Sequence, residues 1–317
     1  MQAVVLTVAP IFGLIALGYL LGRLNYLSEA AGKGLAEFVF SVAVPALLFR
    51  MMIGAHPPPA DAGPLSLWGA YYLAVAAVWI TAALATRVIL KRPATDGASV
   101  AMAAGYGNVV MLGIPIALDS LGPAAGTPIA ILVSLSSPLL WFSATLHMEL
   151  AIRRGDFAML PLLKELVFSL LKNPIIAGLL AGLLWRQTGL GLHPIPDKMI
   201  SMLGQAAIPG ALVALGVSLT GFKVSGQAPT VLVICVLSLL VLPALAWVLA
   251  FHVFTLPPLW ASVAVIFAAC PPGANAFLFA TRYKAAVNSV SASVALGTAL
   301  SMISVSLVLL VLGATVQ

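Results

Sequence analysis

The chain has 317 residues, of which 62% are hydrophobic and 8% are charged, and its mean hydropathy is +1.12. A soluble domain could not cover this much apolar surface with polar groups, so the composition excludes an ordinary soluble protein. The net charge of +6 and the pI of about 9.6 would also suit a nucleic-acid-binding protein. The basic residues, however, lie near the ends of apolar stretches and form no separate cluster, as in membrane proteins.

Ten apolar stretches are long enough to cross a bilayer, since a helix needs about 20 residues to span the hydrocarbon core. The first is interpreted as a span and not as a secretory signal, because its first basic residue, Arg23, follows the apolar stretch. The predicted spans lie near residues 3–22, 34–53, 67–90, 98–119, 126–148, 166–187, 199–219, 230–253, 259–281 and 287–313. The sequence therefore predicts an all-α integral membrane protein.

The basic residues divide unequally between the two sides that these spans define. Arg50, Arg186 and Lys198 lie on one side. The other twelve of the fifteen lie on the opposite side: Arg23, Lys33, Arg87, Lys91, Arg92, Arg153, Arg154, Lys164, Lys172, Lys223, Arg282 and Lys284. Because cytoplasmic loops carry an excess of lysine and arginine, the rich side is predicted to be cytoplasmic and both termini to lie outside.

The two halves of the chain resemble each other at an offset of about 164 residues, which points to an internal repeat. Pro45 aligns with Pro209, and Ala103-Ala104 aligns with Ala268-Ala269. Five spans is an odd number, so the second half enters the membrane from the opposite side and the repeat is inverted. The predicted units are residues 1–148, a cytoplasmic linker at 149–165, and residues 166–317.

Spans four and nine each contain a helix-breaking segment in their middle. The first break contains Gly105, Gly107, Gly113 and Pro115, and the second contains Pro271, Pro272 and Gly273. Glycine weakens a helix and proline cannot donate its backbone bond. Freed backbone groups are tolerated at membrane depth only inside protein or beside a water-filled cavity. Paired breaks in corresponding positions are typical of a transporter's binding site.

Asn108 and Asn275 lie beside the two breaks and carry amide donors without formal charge. Where broken helices cross, two helix N-termini meet, each with about half a positive charge, and such a place suits a carboxylate. The alternative is that each asparagine only caps its half-helix or bonds its partner. Neither break contains Asp, Glu, Lys, Arg or His, although cation and proton antiporters commonly have an ionisable residue at membrane depth.

Other polar residues and both cysteines receive ordinary interpretations. Asp119 and Arg50 lie near span ends and are interpreted as interfacial, although Arg50 could also steer anions towards the outer mouth. Cys235 and Cys270 lie inside apolar stretches and are interpreted as small buried side chains, not as a disulfide. The sequence contains no phosphate loop, metal-spaced cluster or catalytic dyad, so no enzyme activity, metal or cofactor is predicted.

These motifs resemble those of the auxin efflux carrier family, which includes plant auxin exporters and bacterial carriers for malonate and related acids. Asn108-Val-Val-Met-Leu-Gly-Ile-Pro115 resembles the fourth-span signature of the family. Pro271-Pro-Gly-Ala-Asn-Ala-Phe-Leu-Phe-Ala-Thr-Arg-Tyr283 is similar to its ninth-span signature, and Val44-Pro-Ala-Leu-Leu-Phe49 to its second-span motif. The resemblance covers essentially the whole chain, and its short central linker is like that of bacterial members.

The resemblance implies a ten-span crossover fold with a scaffold domain, a mobile crossover domain and a homodimeric assembly. It also implies that Asn108, Pro115, Pro271 and Gly273 shape a carboxylate site. Asn275 and the following alanine depart from the plant pattern, which has an apolar residue and then proline, so a smaller acid than indole-3-acetate is expected.

The predicted function is therefore a secondary transporter of small organic carboxylates in a bacterial inner membrane, working by alternating access. The predicted substrate-binding residues are Gly107, Asn108, Gly113, Pro115, Pro271, Pro272, Gly273 and Asn275. Two alternatives stay open, a Na⁺- or H⁺-coupled symporter on the same fold and a non-transporting membrane receptor. The direction of transport is not fixed, but an uncoupled anion leaving a negative-inside cell gains about 2.3 kcal/mol per charge per 100 mV.

Overall fold

The computed structural model describes residues 2–54, 63–152 and 159–315. The first two of these ranges form α1 (Gln2–Arg23), α2 (Glu29–Phe38), α3 (Val44–Ile53), α4 (Pro64–Val88), α5 (Ala94–Gly105), α6 (Ile114–Leu121) and α7 (Gly126–Ile152). The third range forms α8 (Met159–Lys172), α9 (Pro174–Gln187), α10 (Pro194–Gln205), α11 (Ala207–Leu219), α12 (Ala228–Val236), α13 (Leu242–Val248), α14 (Pro258–Ala268), α15 (Ala274–Tyr283) and α16 (Val287–Thr315).

Prolines shape these helices in two ways. Pro64, Pro174 and Pro194 occupy the first position of their helices, where the missing N–H group costs nothing. Pro45 and Pro115 instead follow wider π-helical turns, at Val39–Ala43 and Val109–Gly113. A proline ring would overlap the carbonyl group four residues earlier in a regular helix, and an extra residue in the preceding turn relieves that overlap.

Within the described residues, seven stretches are long and apolar enough to cross a membrane. The helices α8 and α9 pass the same test together, but they meet at a bend of 57°, where Pro174 begins α9. The helices on either side of the two predicted breaks are shorter, with apolar segments Val109–Leu121 and Pro258–Ala268. The all-helical membrane fold is thus confirmed.

Several predicted span starts lie too late, among them those at 34, 98, 166 and 199. The span predicted at 34–53 begins at Glu29, because the Ser28 hydroxyl accepts a bond from the Ala31 N–H and caps the helix. The span predicted at 199–219 begins at Pro194, after His193. In the predicted linker 149–165, residues up to Ile152 and from Met159 are helical, and Arg153, Arg154 and the rest of 153–158 lie outside the described residues.

The helices pack into two groups. One, called here the scaffold bundle, is held by the pairs α1 with α11, α3 with α9, α2 with α11 and α3 with α10. The other, called the crossover bundle, contains α4, α5, α6, α7, α12, α13, α14, α15 and α16. Glycine permits close helix contact in the scaffold, since a Cβ atom at Gly178 of α9 would lie 2.6 Å from the Pro45 carbonyl oxygen of α3.

Candidate functional site

The two helix breaks are adjacent and hydrogen-bonded to each other. The backbone N–H of Asn108 donates to the Pro271 carbonyl oxygen at 2.8 Å, and the N–H of Gly273 donates to the Tyr106 carbonyl oxygen at 3.0 Å. Gly107 and Pro272 form an antiparallel bridge between these two bonds. The pairing satisfies backbone groups that the breaks release from their helices, which is a strict requirement away from water.

Five of the predicted residues lie behind the site and support this crossing. Gly107, Gly113, Pro115, Pro271 and Pro272 are all buried. A Cβ atom at Gly107 would lie 3.1 Å from the carbonyl oxygens of both Cys270 and Phe267, and one at Gly113 would lie 3.0 Å from the Cys270 sulfur atom. These glycines therefore let the two broken segments approach each other. Pro271 and Pro272 follow the end of α14, whereas Pro115 lies in the first turn of α6.

The other three predicted residues, Asn108, Gly273 and Asn275, line a cavity of about 450 Å³ between the two bundles. The crossover bundle contributes Tyr106, Asn108, Val109, Val110, Met111, Gly273, Ala274, Asn275, Phe277 and Leu278. The scaffold bundle and the segment after it contribute Glu29, Gly32, Lys33, Ala36, Phe40, Val217, Ser218, Gly221 and Phe222. The walls are mainly apolar, and most of the polar groups belong to the two breaks or to the exposed end.

Two helix N-termini border this cavity. Asn108 precedes the turn that leads into α6, and Gly273 precedes α15. Neither start has a side-chain cap within the described residues, and at the first start the Val109 N–H donates to the Gly107 carbonyl oxygen at 2.8 Å. Each N-terminus carries about half a positive elementary charge, and two of them border one cavity. The arrangement favours an anion that can accept several hydrogen bonds.

The two asparagines differ in how their side chains are bonded. Asn108 is 8% exposed, and its Nδ2 atom is buried without a hydrogen-bond partner among the described residues. The Asn275 Nδ2 atom donates to the Tyr106 hydroxyl at 2.9 Å, and that hydroxyl lies 2.6 Å from the Ser137 hydroxyl. The Asn275 side chain thus bonds to another part of the protein. The Asn108 side chain neither caps its helix nor bonds a partner through Nδ2 among the described residues.

The exposed end of the cavity is lined by an ion pair and an aromatic pair that were not among the predicted binding-site residues. Lys33 and Glu29 form an ion pair of 2.7 Å, with side chains 76% and 70% exposed. Phe222, just after α11, packs edge-to-face against Phe277 of α15 with ring centroids 5.1 Å apart. Glu29 and Lys33 lie four residues apart on one helix, and this spacing could have indicated their ion pair. No local sequence pattern pairs Phe222 with Phe277.

Other candidates from the sequence lie away from the cavity. Arg50 of α3 pairs with Asp197 of α10 at 2.9 Å and donates to the Ser201 hydroxyl at 2.7 Å, so it links two scaffold helices. Asp119 is exposed on α6. Cys235 and Cys270 are both free and buried, as predicted.

A family model described as "Membrane transport protein" matches residues 3–309. The chain belongs to this family, the auxin efflux carriers. It is therefore an integral membrane transport protein and not an enzyme, as the sequence predicted. Over 306 residues it is 28% identical to a Rhizobium meliloti (strain 1021) protein named "Putative malonate transporter", covering 94% of this chain and 92% of that protein.

Proposed function

We propose that this protein is a secondary transporter of small organic carboxylates, which it binds where the two helix breaks cross. The observation that carries the proposal is Asn108, which lines a cavity bordered by two helix N-termini without side-chain caps, and whose buried Nδ2 atom has no hydrogen-bond partner among the described residues. Every one of these groups is a hydrogen-bond donor or a partial positive charge. A carboxylate has only acceptors, so it matches all of them at once.

The composition of the lining favours a small carboxylate over a cation. At the breaks the cavity is lined by uncharged residues, and its ionised side chains, Glu29 and Lys33, are paired with each other at the exposed end. A cation would need oxygen ligands, whereas the group of Asn108 that lacks a partner among the described residues is its amide nitrogen, a donor. The name of the Rhizobium meliloti relative supports malonate as the first acid to test.

The position of the cavity between two bundles supports alternating access. The scaffold corresponds to predicted spans one, two, six and seven, and the crossover bundle to the remaining spans. Movement of one bundle against the other would expose the same site first to one side of the membrane and then to the other. The breaks belong to the crossover bundle, so the bound acid would travel with that bundle.

A ten-span inverted repeat is part of the proposal. The predicted order of ten spans matches seven continuous stretches, one bent pair and two interrupted segments, at residues 94–121 and 258–283. The repeat relates α1 to α9 and α11 to α3. The packing of α1 against α11 is therefore equivalent to the packing of α9 against α3, and these are the main scaffold contacts. The proposed units are residues 1–148 and 166–317, joined by a linker at 149–165.

We infer the orientation from the basic residues. The exposed end of the cavity includes Lys33 and lies on the side richer in lysine and arginine, so the site is open to the cytoplasm. The Arg50–Asp197 pair then lies towards the outside, as do both termini. The proposed location is a bacterial inner membrane. The proposed assembly is a homodimer, which rests on the family resemblance.

The decisive experiment is transport of labelled malonate and indole-3-acetate into proteoliposomes that contain the purified protein. Separate reactions would impose a membrane potential, a Na⁺ gradient or a pH gradient. Saturable malonate flux that is greater than indole-3-acetate flux is expected. Flux with the potential alone indicates an uncoupled carrier, and flux that requires an ion gradient indicates a symporter. Saturable malonate binding to the purified protein without flux would indicate a receptor, and neither binding nor flux of any small carboxylate would overturn the substrate assignment.

A further inference from the structure

Tyr106 lies at the centre of the first helix break, between Gly105 and Gly107, and is only 4% exposed. Its backbone leaves the helical conformation, with φ of −104° and ψ of 91°. The chain direction therefore changes at this residue, and its side chain contacts α7 and α15, two helices that also pack against α5. Its ring lies beside Gly273, where an added Cβ atom would be 3.3 Å from the ring Cδ1 atom.

The Tyr106 hydroxyl joins three elements of the crossover bundle. Because the Asn275 Nδ2 atom donates to the Tyr106 oxygen, the hydroxyl hydrogen is free to be donated to Ser137 of α7, 2.6 Å away. The hydroxyl thus accepts a hydrogen bond from Asn275 and shares a second one with Ser137, in which either hydroxyl can be the donor. It is committed to the protein and is poorly placed to be a ligand for the substrate itself.

We propose that Tyr106 is a positioning residue that fixes the side-chain amide of Asn275 for substrate binding. One Nδ2 hydrogen of Asn275 is held by Tyr106, which fixes the plane of the amide and leaves the second hydrogen for a ligand in the cavity that Asn275 lines. Preorganisation of a donor lowers the cost of ordering it on binding. This inference rests on the proposed carboxylate site and adds the reason why its second asparagine is correctly oriented.

The test is the Tyr106→Phe variant, which retains the packed ring and removes only the hydroxyl. The KM for labelled malonate is expected to rise roughly threefold to tenfold, the effect of a single neutral hydrogen bond, with little change in the maximal rate. The Kd of the purified protein should rise by the same factor, which gives a readout besides transport. The Ser137→Ala variant should shift both values in the same direction by less, because it releases Tyr106 but leaves the bond to Asn275.

The Tyr72→Phe variant is the matched control. The Tyr72 hydroxyl also bonds to α7, at the Leu132 carbonyl oxygen and the Ser136 hydroxyl, but it does not line the cavity. Its removal should leave the KM unchanged. A double-mutant cycle completes the test, since Tyr106→Phe should add little to the effect of Asn275→Ala if Tyr106 acts through that amide.

The outcomes separate this inference from the proposed function. Wild-type malonate transport with an unchanged KM in Tyr106→Phe would overturn the positioning role and leave the carboxylate site intact. Additive effects of Tyr106→Phe and Asn275→Ala would overturn it as well, because they would show that Tyr106 acts independently. If the wild-type protein neither binds nor transports a carboxylate, the proposed function itself fails.

Discussion

The Asn108→Ala variant is expected to reduce substrate affinity without reducing the stability of the substrate-free protein. These two properties normally fall together when a buried polar residue is removed. Here they should separate, because the Nδ2 atom of Asn108 has no protein partner among the described residues. Its side chain also does not cap the turn that follows it. The substrate-free protein therefore loses no hydrogen bond through Nδ2 when the side chain is truncated.

The expected magnitudes follow from the bonding of this amide. A hydrogen bond to a charged group contributes about 1.5–3 kcal/mol, which corresponds to a loss of affinity of roughly 10- to 150-fold. A buried donor without a partner costs about 1–3 kcal/mol, so its removal should leave the thermal midpoint of the substrate-free protein unchanged or higher. The Asn108→Asp variant keeps the size but replaces the donor by an acceptor that repels a carboxylate, and it should bind still more weakly.

The assay combines malonate binding to the purified protein with thermal unfolding in the same detergent, with and without malonate. Malonate should raise the midpoint of the wild-type protein, and it should do so much less for Asn108→Ala at the same concentration. A variant that unfolds at a lower temperature yet binds malonate with wild-type affinity would refute the reasoning. Asn108 would then be a structural residue of the crossing and not part of the binding site.

Three further predictions concern the crossing, the scaffold and the orientation. Gly107→Ala should lower the thermal midpoint and abolish transport, because its Cβ atom would press on carbonyl oxygens 3.1 Å away. At Gly13 no atom of another described segment lies within 4 Å of the new Cβ, so Gly13→Ala should leave both properties intact. Equal effects of the two variants would contradict this explanation. Arg50→Ala should lower the free energy of unfolding by no more than about 1 kcal/mol, because its ion pair is partly exposed. It should leave the KM for malonate unchanged, because Arg50 lies away from the cavity. A raised KM would instead indicate that Arg50 steers anions. In intact cells an impermeant maleimide should label Lys198→Cys and not Lys284→Cys, with the wild-type protein as the background control, and the reverse pattern would invert the proposed orientation.

Much of the site could be predicted because its signals are local. Helix-breaking residues inside an apolar stretch identify a break without knowledge of its neighbours, and both segments, 105–115 and 270–276, were identified in this way. The sequence did not show which residues of these segments line the cavity and which only allow close packing behind it. Gly107 and Gly113 permit close packing behind the site, whereas Gly273 lines the cavity, because the role of a glycine depends on which atoms face it.

The sequence could not predict which side chains satisfy each other across the crossing. Tyr106 and Asn275 are 169 positions apart, and their bond exists only because two broken helices pair through their backbones. The same is true of Phe222 and Phe277, which belong to the two sides of the cavity. Neither pair has a periodicity, spacing or composition that distinguishes it from other aromatic and amide residues in the chain.

The sequence by itself determined that this is a helical membrane protein with two interrupted spans and uncharged donors beside each interruption. Hydropathy and the loss of helical bonds at glycine and proline are properties of short segments, so they can be predicted wherever they occur. Only the tertiary structure decided that Asn275 has a side-chain partner while the Nδ2 atom of Asn108 has none among the described residues, and that both asparagines line one cavity between two bundles. Those properties depend on the packing of distant segments, because a buried amide obtains a partner only from whatever the fold places beside it.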